Sequence, residues 1–404
     1  MKTKHLIFLP LLSILLLVSC RKTEKQDLLG IIDKSLERAT VLSLDMAKSL
    51  ENDTLLLPRS FENGKLVTSD SRWWCSGFFP GVLWYLYENQ PTEELKKYAV
   101  DYTDRVEREK FTTDNHDVGF MVYCSFGNGF RLLETESYKE VILQASKSLS
   151  TRYKDPIGLI RSWDWNKETW QYPVIIDNMM NLEMLMWAAK NSGDKRFEEI
   201  ARNHADKTMK EHFRPDYSCF HLVDYDTITG NARLKQTVQG YSDSSSWARG
   251  QAWAIYGYTM MYRETGDKKY LDHAEHIARF ILNHPRLPED KIPYWDFDAP
   301  NIPDELRDAS AGAVMASAFI ELSTLTSDKK LSEQCLRTAE TQIRTLSSPE
   351  YLAEPGTNGN FILKHSVGSL PGKQEVDVPL TYADYYYVEA MVRYKKLGSI
   401  LKAG

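Results

Sequence analysis

The sequence predicts an all-α fold in which six helical hairpins close into an (α/α)6 toroid. Amphipathic helical segments alternate with helical segments that are apolar on most faces, at roughly 40 to 70 residues per pair. The ~385 residues that follow the N-terminal leader give room for about six such pairs. Aromatic residues cluster where the apolar helices begin. This favours a closed ring with a central pocket over the alternative, an open α-solenoid.

The amphipathic segments, predicted as outer helices, share an apolar residue followed four positions later by a small one. The four pairs are Leu95 with Ala99, Phe197 with Ala201, Tyr270 with Ala274, and Leu331 with Cys335. Small residues at this spacing let two helices approach closely. Residues 177–190 and 249–264 are instead rich in Met, Trp and Ala, which predicts buried inner helices. Strand signals are few, and short hairpins are predicted only near 158–161 and 220–223.

The N-terminus has the pattern of an export signal. Lys2 and Lys4 precede an apolar stretch over 6–18 that is too short to span a bilayer and fits a signal peptide. The stretch ends in Leu17-Val-Ser-Cys20, which is typical of a bacterial lipoprotein processing box. We therefore predict a signal peptide over 1–19, a lipidated Cys20 with a polar tether over 20–27, and one barrel domain over 28–404. An ordinary signal peptide with a chance Cys is the alternative.

This leader also predicts where the protein resides. A lipid on Cys20 would be the only membrane contact, and Arg21 gives no acidic retention signal. We expect an exported lipoprotein of a Gram-negative bacterium, held on the outer membrane and facing the periplasm. The sequence leaves the oligomeric state open.

Composition excludes several function classes. The formal net charge is −6, or about −8 once Lys2 and Lys4 are removed, which argues against a nucleic-acid partner. An anionic substrate must therefore meet a local group of donors. No clustered His, Asp or Cys set, calcium loop, HExxH, Walker loop, GxGxxG or GxSxG occurs, so neither a catalytic metal nor a cofactor is predicted. The remaining Cys residues are widely spaced, and a disulfide stays open.

Residues 241–258, Tyr-Ser-Asp-Ser-Ser-Ser-Trp-Ala-Arg-Gly-Gln-Ala-Trp-Ala-Ile-Tyr-Gly-Tyr, are the most informative stretch. They bring Arg249, Trp247 and Trp253 to the start of one helix. Arg249 is expected to pair a carboxylate with two hydrogen bonds, and Trp247 or Trp253 to stack on a sugar. The alternative is a helix capped by Ser or by Asp243, with core aromatics behind it.

Two aspartates are the candidate acid and base. Asp177, Asn178 and Asn181 interrupt an apolar run at the start of an inner helix, and capping explains only the first of them. His116 and Asp117 precede another apolar run, where Asp117 has helix capping as its alternative. Two carboxylates facing one pocket support acid–base work on a sugar, with one of them protonated near neutral pH.

Further candidate substrate contacts are His221, which has a structural role as its alternative, Gln239, and tryptophans that lie beside polar turns. For each tryptophan, stacking on sugar and packing at a loop base remain open. The set is Trp73, Trp74, Trp163, Trp165, Trp170, Trp247, Trp253 and Trp295.

With these motifs the chain resembles the unsaturated glucuronyl hydrolases, glycoside hydrolase family 88, over about residues 30–398. The segments that carry the resemblance are Trp73-Trp-Cys-Ser-Gly-Phe-Phe-Pro-Gly81, His116-Asp-Val-Gly-Phe120, Asp177-Asn-Met-Met-Asn181, residues 241–258, and Glu375-Val-Asp-Val-Pro-Leu-Thr-Tyr-Ala-Asp-Tyr-Tyr. The resemblance implies a six-hairpin barrel, no metal, and substrates ending in a 4,5-unsaturated uronic acid, as polysaccharide lyases leave them.

The resemblance also implies the reaction, which is hydration of a vinyl ether. An acid protonates C4, water adds at C5, and the resulting hemiketal opens and releases the sugar. By position Asp177 would be the acid/base and Asp117 the assisting carboxylate. The substrate contacts implied by position are His116, His221, Gln239, Arg249 and Trp253, and we add Asn178, Trp74, Trp163 and Ser366 to the predicted set.

Substrate class is the least determined feature. Some relatives bind sulfated sugars through a Ser-rich motif ending in Lys, but here Ser366-Val-Gly-Ser-Leu-Pro371 has Pro at that place, with Lys373 two residues on. We predict a glycosaminoglycan such as chondroitin, hyaluronan or heparin. The alternatives are an unsaturated rhamnogalacturonyl hydrolase acting on pectin fragments and a non-catalytic glycan-binding lipoprotein. A sugar epimerase is disfavoured, because facing His pairs are not evident among the 9 His.

Overall fold

The computed structural model describes the backbone of residues 9–403 and the side chains of residues 27–397. Twelve α-helices are present in this range. They are α1 Leu9–Ser49, α2 Phe78–Asn89, α3 Glu93–Asp104, α4 Asn128–Leu133, α5 Glu136–Ser150, α6 Leu182–Ser192, α7 Lys195–Glu211, α8 Ala248–Thr265, α9 Lys268–Asn283, α10 Ala309–Leu325, α11 Lys329–Leu346 and α12 Thr381–Ala403. A π-helix, Gly119–Gly127, leads into α4, and a 3-10 helix, Ile176–Asn181, leads into α6.

The helices form two concentric rings. The inner ring runs through α2, the π-helix with α4, α6, α8, α10 and α12, and α12 packs against α2 to close it. Helices α3, α5, α7, α9, α11 and α1 lie outside, each against an inner partner. This confirms the predicted (α/α)6 toroid.

Side-chain burial explains why each helix takes its place. In α8 every residue from 248 to 261 is buried, as an inner helix with neighbours on all sides requires. In α9 only one face is buried, including Tyr270, Ala274 and Ala278. Small residues along that face permit close packing against α8. The distinction between inner and outer helices that the sequence predicts is therefore confirmed.

Strands cover one end of the barrel. They are β1 Leu57–Glu62, β2 Lys65–Ser69, β3 Tyr153–Lys154, β4 Leu159–Ile160, β5 Pro173–Ile175, β6 Leu222–Tyr225, β7 Ala232–Gln236, β8 Ser366–Ser369 and β9 Gln374–Val378. Pairing is antiparallel throughout, as β1–β2, β3–β4, β5–β6–β7 and β8–β9. Strands β4 and β6 confirm the two predicted strand regions, whereas the hairpins β1–β2 and β8–β9 were not predicted.

All nine strands lie in connections that lead from an outer helix to the next inner helix. The reverse connections, from inner to outer helices, are short turns such as residues 266–267 between α8 and α9. The end of the barrel where the inner helices begin therefore carries the long, structured loops, which is where binding groups are usually placed.

Residues 1–8 lie outside the described chain, as do the side chains of residues 9–26. The predicted signal peptide, the lipidated Cys20 and the tether fall on these residues, so they and the domain boundary at residue 28 stay predictions. Among the helices that the structure describes, none is both long and apolar enough to cross a membrane.

Candidate active site

The predicted site residues meet at the end of the barrel where the inner helices begin. The π-helix, the 3-10 helix before α6, and α8 all start without a side-chain cap. Outer helices α3, α7, α9 and α11 are instead capped by Thr92, Asp194, Asp267 and Asp328. The inner helix α10 is also capped, by Asp308. The π-helix and α8 have neither a side-chain cap nor an acidic residue in the first turn, so the positive ends of their dipoles remain available to an anionic ligand.

The capping alternative is wrong for the stretch 241–258. Asp243 accepts a hydrogen bond from the Thr237 backbone N–H (2.8 Å), away from the start of α8. Ser245 donates its hydroxyl hydrogen to Asp296 Oδ2 (2.7 Å). These polar residues therefore order the loop before α8 and leave the helix start uncapped.

Asp177 lies in the 3-10 helix and does not cap it. Its Oδ2 is buried and makes no hydrogen bond to any residue that the structure describes. His221 Nε2 lies 3.8 Å from that oxygen. Burial raises the pKa of Asp177 to about 7, against the opposing effects of the Arg249 guanidinium, a backbone amide and the Trp253 indole. A carboxyl group with this pKa is able to donate a proton near neutral pH.

Asp117 comes directly before the π-helix. Its backbone N–H donates to Asn115 Oδ1 (2.9 Å), and its carboxylate lies 3.4 Å from His116 Nε2. The side chain does not cap the helix, so the capping alternative fails here too. Burial and then the nearby Asp177 raise the pKa of Asp117 well above its ordinary value, opposed by Arg152. The charge of Asp177 therefore reaches Asp117, which places the two carboxyl groups in one site.

His221 is held as a neutral ring in one tautomer. Its Nδ1 accepts the backbone N–H groups of Val238 (3.0 Å) and Gln239 (3.4 Å), so the ring proton must sit on Nε2. Burial, reinforced by the charge of Arg249, lowers the pKa of His221 to about 3. The ring therefore presents a fixed N–H donor toward Asp177.

His116 is also a buried, neutral ring. Ser162 Oγ accepts the Ile175 backbone N–H (3.0 Å) and lies 3.4 Å from His116 Nδ1, so that ring nitrogen has a hydroxyl partner. The other ring nitrogen, His116 Nε2, lies beside Asp117. Burial lowers the pKa of His116 well below its usual range, which keeps the ring neutral.

Six of the predicted site residues each bury a polar atom that has no hydrogen-bond partner among the described residues. The atoms are His116 Nε2, Asp177 Oδ2, Asn178 Oδ1, His221 Nε2, Trp253 Nε1 and Ser366 Oγ. Asn178 shows the pattern, because its amide nitrogen donates to the Ile160 carbonyl (2.9 Å) while its oxygen stays free. Folded proteins satisfy most buried polar groups, so a set of free ones marks a place where ligand or water completes the bonding.

Arg249 differs from its predicted role. It is 1% exposed, and Nη1 donates to Asp308 Oδ2 (3.0 Å) and the Val367 carbonyl (2.5 Å), while Nη2 donates to the Gly368 carbonyl (2.5 Å). The expectation that its fork pairs a substrate carboxylate does not fit these contacts. Arg249 instead ties α8 to α10 and β8, and it acts on Asp177 through its charge.

Trp253 cannot stack on a sugar, because its ring is 0% exposed and packs between Phe120 and Tyr386. Trp247 is 3% exposed, so the stacking expectation is wrong for both. Trp74 and Trp163 are half-buried and keep ring surface available. The edge of Trp163 meets His221, with ring centroids 6.1 Å apart.

Gln239 and Ser366 sit where β8 meets the site. The Gln239 amide donates to the Gly368 carbonyl (3.1 Å), the acceptor that Arg249 also uses. Ser366 is fully buried in β8. These contacts make the hairpin β8–β9 one wall of the site.

Arg152 is a site residue that the sequence did not reveal. Its guanidinium donates to the carbonyls of Thr113 (2.7 Å) and Arg161 (2.7 Å) and to Asp164 Oδ2 (2.9 Å). It thereby joins the loop that carries His116 to the loop that carries Trp163. Two of its acceptors are backbone carbonyls, which leave no recognisable residue pattern in a sequence.

Comparison with known proteins assigns the family. No family model matches the chain. An unsaturated glucuronyl hydrolase from Formosa agariphila is 49% identical over 328 residues, 81% of each chain. The chain belongs to the unsaturated glucuronyl hydrolases. An unsaturated chondroitin disaccharide hydrolase from Streptococcus pyogenes is 32% identical over 380 residues, 92% of each chain.

Solved structures agree with this assignment to glycoside hydrolase family 88. The crystal structure of an unsaturated glucuronyl hydrolase specific for heparin has a TM-score of 0.89 and 46% identity, covering 92% of this chain and 98% of that one. The unsaturated glucuronyl hydrolase of Bacillus sp. GL1 has a TM-score of 0.82 and 30% identity over 89% and 96%. The protein is therefore a glycoside hydrolase with an (α/α)6 barrel. Among residues 27–397, no group of three or more His, Cys, Asp or Glu side chains is placed to hold a metal ion.

Proposed function

We propose that the protein removes the 4,5-unsaturated uronic acid from the non-reducing end of glycosaminoglycan fragments left by polysaccharide lyases. The observation that carries the proposal is Asp177, a buried carboxyl group with a free oxygen and a pKa of about 7. It lies beside neutral histidines that present N–H donors. An acid that is protonated at neutral pH is what protonation of an enol ether requires.

In the proposed mechanism Asp177 donates its proton to C4 of the unsaturated ring. Positive charge then develops at C5 and the ring oxygen, and water adds to C5. The carboxylate of Asp177, assisted by Asp117, takes the proton released by that water, which restores the starting protonation state. The hemiketal so formed opens, the ring rearranges, and the leaving sugar departs with its glycosidic oxygen. The atoms balance as one water added for one glycosidic bond broken.

The remaining groups hold the uronate. The N–H donor of His221 and the positive ends of the π-helix and α8 suit an anion. Arg249 contributes its charge while its two terminal nitrogens hold the scaffold. Neutral histidines suit this role because they donate hydrogen bonds without competing with Asp177 for its proton.

The glycosaminoglycan class is supported by the relatives. One similar structure is described as specific for heparin, and the streptococcal relatives are named for chondroitin disaccharides. An Asp-to-Asn mutant of the Streptococcus agalactiae enzyme, 28% identical with a TM-score of 0.76, is complexed with the sulfated disaccharide dGlcA-GalNAc6S. In this chain Pro371 stands in the turn between β8 and β9, and the exposed Lys373 is the nearby cation.

The test is loss of the alkene ultraviolet absorbance from a panel of lyase-made disaccharides, sulfated and unsulfated, from heparin, chondroitin and hyaluronan. Loss with at least one member, and none with a saturated glucuronide, supports the proposal, and the preferred member names the substrate. Turnover of unsaturated pectin fragments alone would replace it with the rhamnogalacturonyl activity. Binding without turnover of any member would replace it with the glycan-binding alternative.

We infer that the protein is a lipoprotein anchored through Cys20 at the outer membrane and facing the periplasm. The support is the sequence of the leader, a basic start, an apolar stretch and the box ending at Cys20. Cys20→Ala should move the protein from the membrane fraction to the soluble fraction, with Cys335→Ala as a control that stays in the membrane. Unchanged fractionation of the Cys20 variant would contradict the anchor.

A further inference from the structure

An exposed tryptophan stands at the rim of the site. Trp165 is 52% exposed, yet its ring packs against Trp163 (centroids 5.1 Å apart, 31° between planes) and against Trp170 (4.8 Å, 67°). Trp170 is nearly buried and donates its indole N–H to Gln236 Oε1 on β7 (3.0 Å). Trp165 is therefore a supported, outward-facing ring whose orientation is set by the sheet beneath it.

The row of rings starts at the catalytic carboxyl group. Asp177 Oδ2 lies 3.8 Å from His221 Nε2, the His221 ring lies 6.1 Å from the ring of Trp163, and Trp163 lies 5.1 Å from Trp165. Exposure rises along this row, from Asp177 (8%) through the half-buried Trp163 to Trp165 (52%). The rings therefore lead from the pocket at Asp177 outward to solvent.

The surroundings of Trp165 suit an anionic sugar. A pyranose has an apolar C–H face that packs on an aromatic ring, and its hydroxyl and acidic groups stay in water at the edges. Lys167, two residues on, is exposed and supplies a cation for a carboxylate or sulfate. Of the two acidic residues near Trp165 in the sequence, Asp164 is bound by Arg152, and Glu168 is exposed beside Lys167.

We propose that Trp165 forms a distal subsite that binds the third sugar residue of the substrate, so that unsaturated tetrasaccharides are preferred to disaccharides. The proposal rests on the proposed function. The unsaturated residue occupies the pocket at Asp177, the second residue lies along Trp163, and the third stacks on Trp165. Lyases that act within a chain release even-numbered fragments, and a tetrasaccharide is the shortest of these to reach the third position.

The experiment compares kcat/KM for the unsaturated tetrasaccharide and disaccharide of one glycan in wild type, Trp165→Ala and Trp165→Phe. Stacking of one sugar predicts a wild-type preference for the tetrasaccharide of about three- to tenfold. Trp165→Ala should bring the ratio to about one, mainly by raising KM for the tetrasaccharide, and Trp165→Phe should restore part of it. Ile228→Ala removes an apolar side chain that is 86% exposed in the β6–β7 turn, and it should keep the wild-type ratio.

Equal kcat/KM for both lengths in wild type, or an unchanged preference in Trp165→Ala, would overturn the distal subsite while leaving the proposed function standing. No turnover of either fragment by wild type would overturn the proposed function instead. The subsite is then judged by equilibrium titration of tryptophan fluorescence with the tetrasaccharide. Tighter binding to wild type than to Trp165→Ala supports it, and equal binding overturns it.

Discussion

The two ends of the barrel both hold carboxyl groups and use them in opposite ways. At the end where the inner helices begin, Asp177 and the histidines leave polar atoms without partners. Toward the opposite end, Arg263 donates to Glu183 (2.5 Å) and Glu321 (2.6 Å), and Arg393 donates to Glu321 (2.9 Å). A carboxyl group held by arginines therefore does not mark the proposed site, whereas Asp177, which has no partner at Oδ2 among the described residues and lies beside neutral histidines, does.

The pKa of Glu321 and the pKa of Asp177 are shifted in opposite directions. Partial burial favours the neutral acid at Glu321, but Arg393 and Arg263 lower its pKa below the ordinary value. At Glu183, the other partner of Arg263, burial outweighs the arginines and raises the pKa. Asp177 has Arg249 nearby, yet that guanidinium is committed to other acceptors and burial raises the pKa to about 7. Two arginines thus keep Glu321 charged, whereas the proposed acid keeps its proton.

An aromatic layer separates the two ends. Phe78, Phe120, Trp253 and Tyr386 form a closed circuit of ring contacts, with neighbouring centroids 5.3 to 5.9 Å apart, contributed by α2, the π-helix, α8 and α12. Beyond it the paired charges line a cavity of about 550 Å³. The layer gives Asp177 an apolar floor, which explains why burial is the largest influence on its pKa.

Asp177→Asn removes the proposed proton donor, and we expect this variant to have the largest effect on activity. Loss of the proton donor should lower kcat/KM for an unsaturated disaccharide by about 10²- to 10⁴-fold, with the circular dichroism spectrum unchanged. Asp226→Asn is the matched control, because Asp226 only orders the β6–β7 turn and should leave turnover unaffected. Substantial residual activity in Asp177→Asn would reject the assigned acid.

Glu321→Gln removes the carboxylate that Arg263 and Arg393 share. It should lower the stability of the protein and leave turnover unchanged. Arg263 and Arg393 each lose a charged partner, so the free energy of unfolding should fall by about 1–3 kcal/mol. Denaturant unfolding measures the change, with the exposed Glu94→Gln as a control that should leave stability unchanged. A large loss of kcat at a temperature where the variant is still folded would contradict this prediction. It would show that the ion pairs at this end also affect catalysis.

Asp177→Asn should also be more stable than wild type at pH 7. Between about pH 4 and pH 7 the unfolded Asp177 ionises while the folded group keeps its proton, so the stability of wild type falls as pH rises through this window. Asn removes that loss, on the order of 1 to 4 kcal/mol, since one pKa unit corresponds to about 1.4 kcal/mol. Unfolding curves at pH 4 and pH 7 measure it. A variant less stable than wild type at both pH values would mean that Asp177 is not held protonated.

Phe120→Leu thins the layer between the two ends, and its effect should be the smallest. Kinetics limited by a protonated Asp177 should decline as pH rises through about 7 in wild type. Better hydration of the carboxyl group in the variant should move that decline to lower pH by less than about one unit. The pH dependence of kcat/KM measures the shift, with Phe280→Leu on the outer helix α9 as a control. A shift to higher pH would contradict the role of the layer.

Local patterns in the sequence were enough to predict the barrel and to single out Asp177, whose role as the acid stays a prediction. The +4 spacing that begins at Tyr270 indicates one buried helix face. Asp177 stands out because it interrupts an apolar run. Each of these signals lies within a few residues of sequence. The role of Arg249 could not be read in this way, because its acceptors on β8 are more than a hundred residues away. The burial of Trp253 likewise follows only from closure of the ring, which brings α12 against α8.

In the proposed mechanism the enzyme hydrates the alkene before the glycosidic bond breaks. The most direct test is a single-turnover reaction with excess wild-type enzyme, in which alkene absorbance and the released sugar are followed in the same sample. We expect the absorbance to disappear at least as fast as the sugar appears, and a saturated glucuronide to stay intact. Release of the sugar while the absorbance persists would mean direct cleavage at the anomeric carbon. It would show that hydration of the alkene does not come first.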